Sequence, residues 1–140
     1  MQNKKNSILL LVLVVLVPFV NAACLDLASG CGNELMGEVC SPDGKLKAVV
    51  FQRDCGATTG FSTQISILSV DEKLPNEGGN IFVADSNHGA ASSGRGGGPI
   101  VEVHWLNGSE LLIKHDSRAR VFHSEQSLGR VKIQYERFAS

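Results

Sequence analysis

The chain has 140 residues, with thirteen basic and fourteen acidic side chains, four cysteines and a formal net charge of −1. That length suits one domain. The lack of any basic run excludes nucleic acid as a partner, because phosphate binding needs clustered Lys and Arg, and it removes electrostatic docking on anionic lipid.

Lys4 and Lys5 precede an uninterrupted apolar run from Ile8 to Val17, followed by Pro18 and small residues. This order is that of a secretory signal. With its Pro-broken tail the run, Ile8 to Val20, holds thirteen residues, short of the ~20 of a membrane-crossing helix, so no transmembrane segment is expected after cleavage. Cleavage is expected after Ala22, with Val20 and Ala22 as the small or apolar residues that signal peptidase accepts. The rival cut leaves Cys24 first, as a lipid-modified anchor. Ala22 and Ala23 suit that cut, whereas Asn21 stands where bacterial lipoprotein sites carry an aliphatic side chain. Residues 1–22 are therefore read as a signal peptide and 23–140 as one domain, periplasmic or secreted, with a lipid-anchored envelope protein as the alternative. Eleven basic residues remain against fourteen acidic ones, and the mature charge is −3.

Cys24, Cys31, Cys40 and Cys55 are spaced seven, nine and fifteen apart. An even count in a small exported domain implies disulfides, with three pairings open. Metal binding needs close pairs such as C-x-x-C, which these spacings do not supply, and no metal or cofactor is expected.

Beyond the signal, short segments alternate apolar and polar residues between turn residues. Strands are predicted at 34–40, 45–54, 62–69, 80–85, 100–106, 110–116 and 129–138. No segment sustains a helical period over three turns. The expected class is all-β: a single small antiparallel sheet or meander of six or seven strands, an open barrel or sandwich, held by disulfides.

The first hairpin turns at "SPDG" (41–44). Pro42 and Gly44 suit a type I turn with a glycine bulge. With Ser41 opposite Lys45, Cys31 falls opposite Cys55; one register lower it faces Asp54. Opposed β-carbons lie ~4.5–5.5 Å apart, near disulfide reach, so Cys31–Cys55 is the expected bond. Cys24–Cys40 follows by exclusion if "GCGN" (30–33) turns the chain back; a lipidated Cys24 would leave Cys40 over.

"RDCGATTGFSTQ" (53–64) then joins two strands. Cys55 ends one, Gly56 and Gly60 permit a sharp turn, and Ser62 begins the next. A nucleophilic Cys55 would require a thiolate and a base, usually His, and none of His88, His104, His115 and His123 is near it in sequence. Thr58, Thr59, Ser62 and Thr63 satisfy backbone groups in a tight connection or, functionally, bind a polar ligand. Arg53 and Asp54 read as a strand-end ion pair of little worth if exposed, unless they project into one pocket with Thr58, Thr59 and Gln64. Those five residues are the candidate binding set. "DSNHGAASSGRGGGP" (85–99) carries no phosphate-loop pattern and is predicted to be a long mobile loop. Arg95 is the charged group of its flexible part and joins the candidates.

In "VEVHWLNGSELLIKH" (101–115), Asn107-Gly108 alone suggests a two-residue turn. That turn would oppose Trp105 to Glu110 and His104 to Leu111, mixing both faces. A slip of one, with 107–109 as the loop, opposes Trp105 to Leu111, Val103 to Ile113 and Glu102 to Lys114, giving one apolar face and an ion pair on the other. His104 and His115 then face opposite ways and cannot share a metal. No catalytic residue is assigned, since no paired carboxylates, G-x-S-x-G or H-E-x-x-H occur.

"SPDGKLKAVVFQRDCGATTGFSTQISIL", followed by "NIFVAD" and "VHWL", resembles a family of small uncharacterised bacterial exported proteins over roughly Cys31 to Tyr135. The resemblance implies a bacterial envelope setting and brings no activity, substrate or cofactor. "SPDGKLKAVVF" and "VHWLNGSELLI" also look like β-propeller strand turns, but two blades of ~40–45 residues at most cannot close a ring. The expected function is that of a non-enzymatic domain binding an unknown protein or envelope component, as an inhibitor or immunity-type binder. The alternatives are a small hydrolase or transferase using the 53–64 loop, and a lipid-anchored structural envelope protein at Cys24.

Overall fold

A computed structural model describes residues 30–56 and 59–139; the signal segment, Cys24 and its pairing, and Thr58 lie outside them. Nine strands are formed: β1 (Gly32–Cys40), β2 (Leu46–Asp54), β3 (Ser62–Ser69), β4 (Phe82–Asp85), β5 (Val101–Asn107), β6 (Glu110–Asp116), β7 (Arg120–Ser124), β8 (Ser127–Leu128) and β9 (Val131–Phe138). They make a five-stranded sheet in the order β1-β2-β3-β4-β7 and a four-stranded sheet in the order β5-β6-β9-β8. The class is all-β, as the alternation requires, and no helix occurs among the described residues.

β2 and β3 are buried along nearly their whole length because both their faces are covered. On one face Ala48, Ile65, Ile67, Phe82 and Ala84 pack with Val103, Leu111, Ile113, Val131 and Ile133 of the other sheet. On the opposite face Val49, Phe51 and Leu68 lie under Leu74. Burial of each Val, Leu, Ile or Phe among them stabilises by about 1.5–3 kcal/mol. The connection carrying Leu74 is pinned by polar groups that imitate a strand. The Asn80 side chain accepts from Ile67 N at 2.9 Å and donates to Ile67 O at 3.0 Å, and Gln64 Oε1 accepts from Gly79 N at 2.6 Å.

Both hairpins keep their expected long-range register, each with a bulge. Gly44 N donates to Ser41 O at 2.9 Å, with Gly44 at φ +69°. Ser41 N donates to Leu46 O, one residue past the expected Lys45, and a shift between Leu35 and Gly37 restores the count, so that Gly32 faces Asp54. Cys31 and Cys55 are bonded, 24 positions apart. Cys40, at the end of β1, is exposed and has no disulfide partner among the described residues. In the second hairpin Trp105 faces Leu111, Val103 faces Ile113 and Glu102 faces Lys114, as expected. A shift at Leu106 lets Asn107 face Glu110, which reconciles the tight turn with the apolar face. The expected Glu102–Lys114 ion pair is not formed: Lys114 bonds Glu136 at 3.1 Å and Glu102 lies 3.6 Å from His104. His115 is buried against Phe82 while His104 is exposed, on opposite faces as argued.

Three findings depart from the sequence reading. β7 and β8 were not expected; β7 puts Val121 and Phe122 side by side without alternation, because it is an edge strand with a register shift opposite Val83/Ala84. β6 and β9 pair in parallel, since the chain leaves β6 to run β7 along the other sheet before returning through β8. Finally, the glycine-rich segment is folded. Ala91 is 1 % exposed, Gly94 N donates to Gly98 O at 2.8 Å, and Thr63 Oγ1 donates to Pro99 O at 2.8 Å. At Gly98 a β-carbon would stand 2.6 Å from Thr63 N. Glycine serves close approach here.

Candidate functional site

Pairing alone aligns four polar side chains. Arg53 on β2 faces Ser62 on β3, Ser62 faces Asp85 on β4, and Asp85 faces Arg120 on β7. Directly opposed residues share a face, and this one is the face turned away from the second sheet. The row floors a cleft of about 570 Å³, walled by Phe61, Val83, Phe122, Thr59, His88 and the Cys55 end of the disulfide. Phe61 and Phe122 are 45 % and 59 % exposed.

Asp85 and Arg120 are joined twice, through Nε–Oδ1 at 3.2 Å and through a second bond between Nη2 and Oδ2. Desolvation pushes the Asp85 carboxyl up, but the Arg120 hydrogen bond, the Asn87 amide and the Arg120 charge outweigh it and hold it below its ordinary value. The same bond raises Arg120, against desolvation. The Arg120 guanidinium also lies 4.9 Å from the Phe122 ring centroid, a cation–π contact. Beside Asp85, Asn87 and His88 adopt φ of 51° and 56°, a left-handed pair that costs on the order of 1–3 kcal/mol per residue. Asp85 Oδ1 accepts from Asn87 N at 2.9 Å and holds that turn.

At the other end of the row, Arg53 Nη1 donates to Asn33 Oδ1 at 2.7 Å and to Asn76 Oδ1 at 3.2 Å. Two neutral amides therefore hold the half-buried guanidinium, and among the described residues no carboxylate pairs with it. Ser62 Oγ donates to Arg53 O at 3.4 Å and accepts from Gln64 Nε2 at 2.8 Å. Ser62, His88 and Asp85 share the cleft but do not form a nucleophile–base–orienter chain, because the serine is bound to Arg53 and Gln64 and the carboxylate to Arg120.

Of the expected set, Arg53 and Thr59 line the cleft. Asp54 does not pair with Arg53: strand alternation turns it to the other face, where its carboxylate caps Gly56 N at 2.9 Å. Gln64 is buried and binds Gly79 and Ser62. Arg95 lines a separate hollow with Val50, Gln52 and Thr63, on the face toward the second sheet. Thr58 lies outside the described residues. Sequence reasoning missed Asp85, Arg120 and Phe122. No local signal joins Asp85 to Arg120, 35 residues apart.

A larger depression of about 650 Å³ lies at the far end of the sheets, near the hairpin tips, over Leu46, Ile67, Leu128 and Val131. Its Asp43 is already committed: the Ser41 hydroxyl, then the Lys45 amide, lower its carboxyl below the ordinary value. No comparable row of converging side chains stands there.

Fold and cleft together define a disulfide-linked, two-sheet β domain with an arginine- and phenylalanine-walled cleft on its outer face. No family model, curated protein or solved structure matches the chain.

Proposed function

We propose that the chain is an exported, non-enzymatic binding domain of the bacterial envelope or exterior that grips another macromolecule, as an inhibitor or immunity-type binder does. The carrying observation is the composition of the cleft: two half-exposed phenylalanines beside two arginines on a rigid sheet. Arg and large aromatic residues are the anchors of protein interfaces, and such aromatics left in water favour burial by a partner. The Cys31–Cys55 bond, and the lack among the described residues of a helix able to cross a membrane, are compatible with export.

The rival reading, a small hydrolase or transferase using the 53–64 loop, draws on Arg53, Thr59 and Ser62 lying in one cleft. The hydrogen bonds that occupy Ser62 speak against it. The test is a photo-crosslinking residue at position 122, compared with one at position 104 on the outer face of the other sheet, in the native envelope. A discrete adduct from 122 and none from 104 is expected. No adduct from 122, or equal labelling from both, would refute the reading.

A further inference from the structure

We propose that the cleft receives an acidic side chain carried on an extended segment of a partner protein, with Arg53 as the receiving cation and Phe122 and Val83 as the seat of an apolar residue further along that segment. This rests on the binder reading and assigns the ligand its chemistry.

The first observation is charge. Arg120 is neutralised in place by Asp85, whereas Arg53 is held only by the amides of Asn33 and Asn76, both on its Nη1. Its Nε and Nη2 have no partner among the described residues. A guanidinium oriented by neutral acceptors, with its other donors free, is arranged for a planar anion such as a carboxylate. The floor row carries Arg53, Asp85 and Arg120, a net charge of +1, on a chain whose formal charge is −1. A carboxylate is thus favoured here and disfavoured over the surface as a whole.

The second observation is spacing. Arg53 and the β7 end of the row stand on strands separated by two others. Three inter-strand steps of about 4.8 Å make roughly 14 Å, which an extended chain at about 3.3 Å per residue covers in about four residues. Side chains four positions apart on an extended segment point to the same side. The ligand is therefore an acidic residue with a large apolar residue about four positions away. A helix would bring those two side chains within about 6 Å of each other, too close for the row.

The test is selection of displayed random linear peptides on the disulfide-intact protein, on Arg53→Gln and on Arg95→Gln. Enrichment of Asp or Glu with a large apolar residue about four positions away is expected on wild type and on Arg95→Gln, and the acidic preference should vanish on Arg53→Gln. A selected peptide, acetylated and amidated so that its only carboxylate is the side chain, should lose about tenfold or more in affinity when that residue becomes the amide. Should Arg53→Gln not fold, the wild-type protein decides alone, since binding of the acidic peptide must weaken as salt rises. A neutral or basic consensus, no consensus, an acidic preference that survives Arg53→Gln, or salt-independent binding would overturn the proposal. If position 122 crosslinks to a partner and the acidic preference is absent, this inference fails and the binder reading stands.

Discussion

Removing the Cys31–Cys55 bond tests how the five-stranded sheet is held. The bond joins positions 24 apart, and chain-entropy estimates for a closed loop of that size give about 3–4 kcal/mol. A domain of this class has a total stability of about 5–15 kcal/mol. With an unfolding entropy of about 2.1 cal/mol/K per residue over roughly a hundred residues, each kcal/mol shifts Tm by about 5 °C. The double variant Cys31→Ser/Cys55→Ser should therefore melt about 15–20 °C lower, if the loss is carried by the unfolded chain. Urea titration in a Cys24→Ser/Cys40→Ser background avoids thiol exchange. Trp105 is the only tryptophan, and its Nε1 donates to Val39 O at 2.8 Å, so its fluorescence reports whether β1 is docked. The m-value should rise as well, because the unbridged chain exposes more surface on unfolding. A loss under about 1 kcal/mol, with m unchanged, would show that the bond does not constrain the unfolded chain. Alkylation of the unreduced protein should spare Cys31 and Cys55; labelling of Cys55 would revive the catalytic-thiol reading.

Gly98→Ala forces a β-carbon against the Thr63 amide and should cost about 1–3 kcal/mol. Gly94→Ala, whose nearest new contact is 3.6 Å away, should change stability by less than about 0.5 kcal/mol; equal costs in chemical denaturation would contradict the packed-loop account. The folded-state pKa of Asp85 is depressed, so its stabilisation is present above the ordinary value of 3.8 and fades as pH falls through the lower folded value. The margin of wild type over Asp85→Asn should accordingly shrink below pH 3.8 in denaturation at stepped pH, and a constant margin there would be inconsistent with that shift. Tyr135, the only tyrosine, is pushed up to about 12 by desolvation and then by the Glu125 charge. Because the folded value is raised, the tyrosine's contribution is complete below 10 and is lost as pH rises toward 12. The near-ultraviolet tyrosinate titration of the folded protein should have its midpoint near 12, and a midpoint near 10 would be that of an exposed ring. Its hydroxyl donates to Glu125 O at 2.7 Å, so Tyr135→Phe should cost about 1 kcal/mol by thermal melting.

The local pairings were legible because face pattern and turn chemistry both act over a few residues. Trp105 opposite Leu111 and Cys31 opposite Cys55 follow from a slip moving every side chain to the wrong face. The bulges at Met36 and Leu106 were not legible, since each corrects a count without altering the apolar alternation. β7 was hidden because an edge strand exposed along nearly its whole length has no reason to alternate, and "RVFHS" does not. The cleft was half legible: Arg53 and Thr59 lie in the "RDCGATTGFSTQ" stretch, but Asp85, Arg120 and Phe122 arrive through β4 and β7 pairing over a distance that no local rule spans. The glycine-rich segment misled by composition, because glycine permits close approach as readily as motion.

The placement of β7 also has a temporal side. A chain is made from its N-terminus, so β1 to β4 become available with their hairpin well before Arg120 follows. Until then β4 offers an unpaired edge, the kind of template on which chains aggregate. The same late strand brings Arg120 and Phe122, so the cleft does not exist on a partly made chain. A partner that engages Arg53 and Phe122 together therefore reads completion, and ignores every molecule whose β7 has not yet docked.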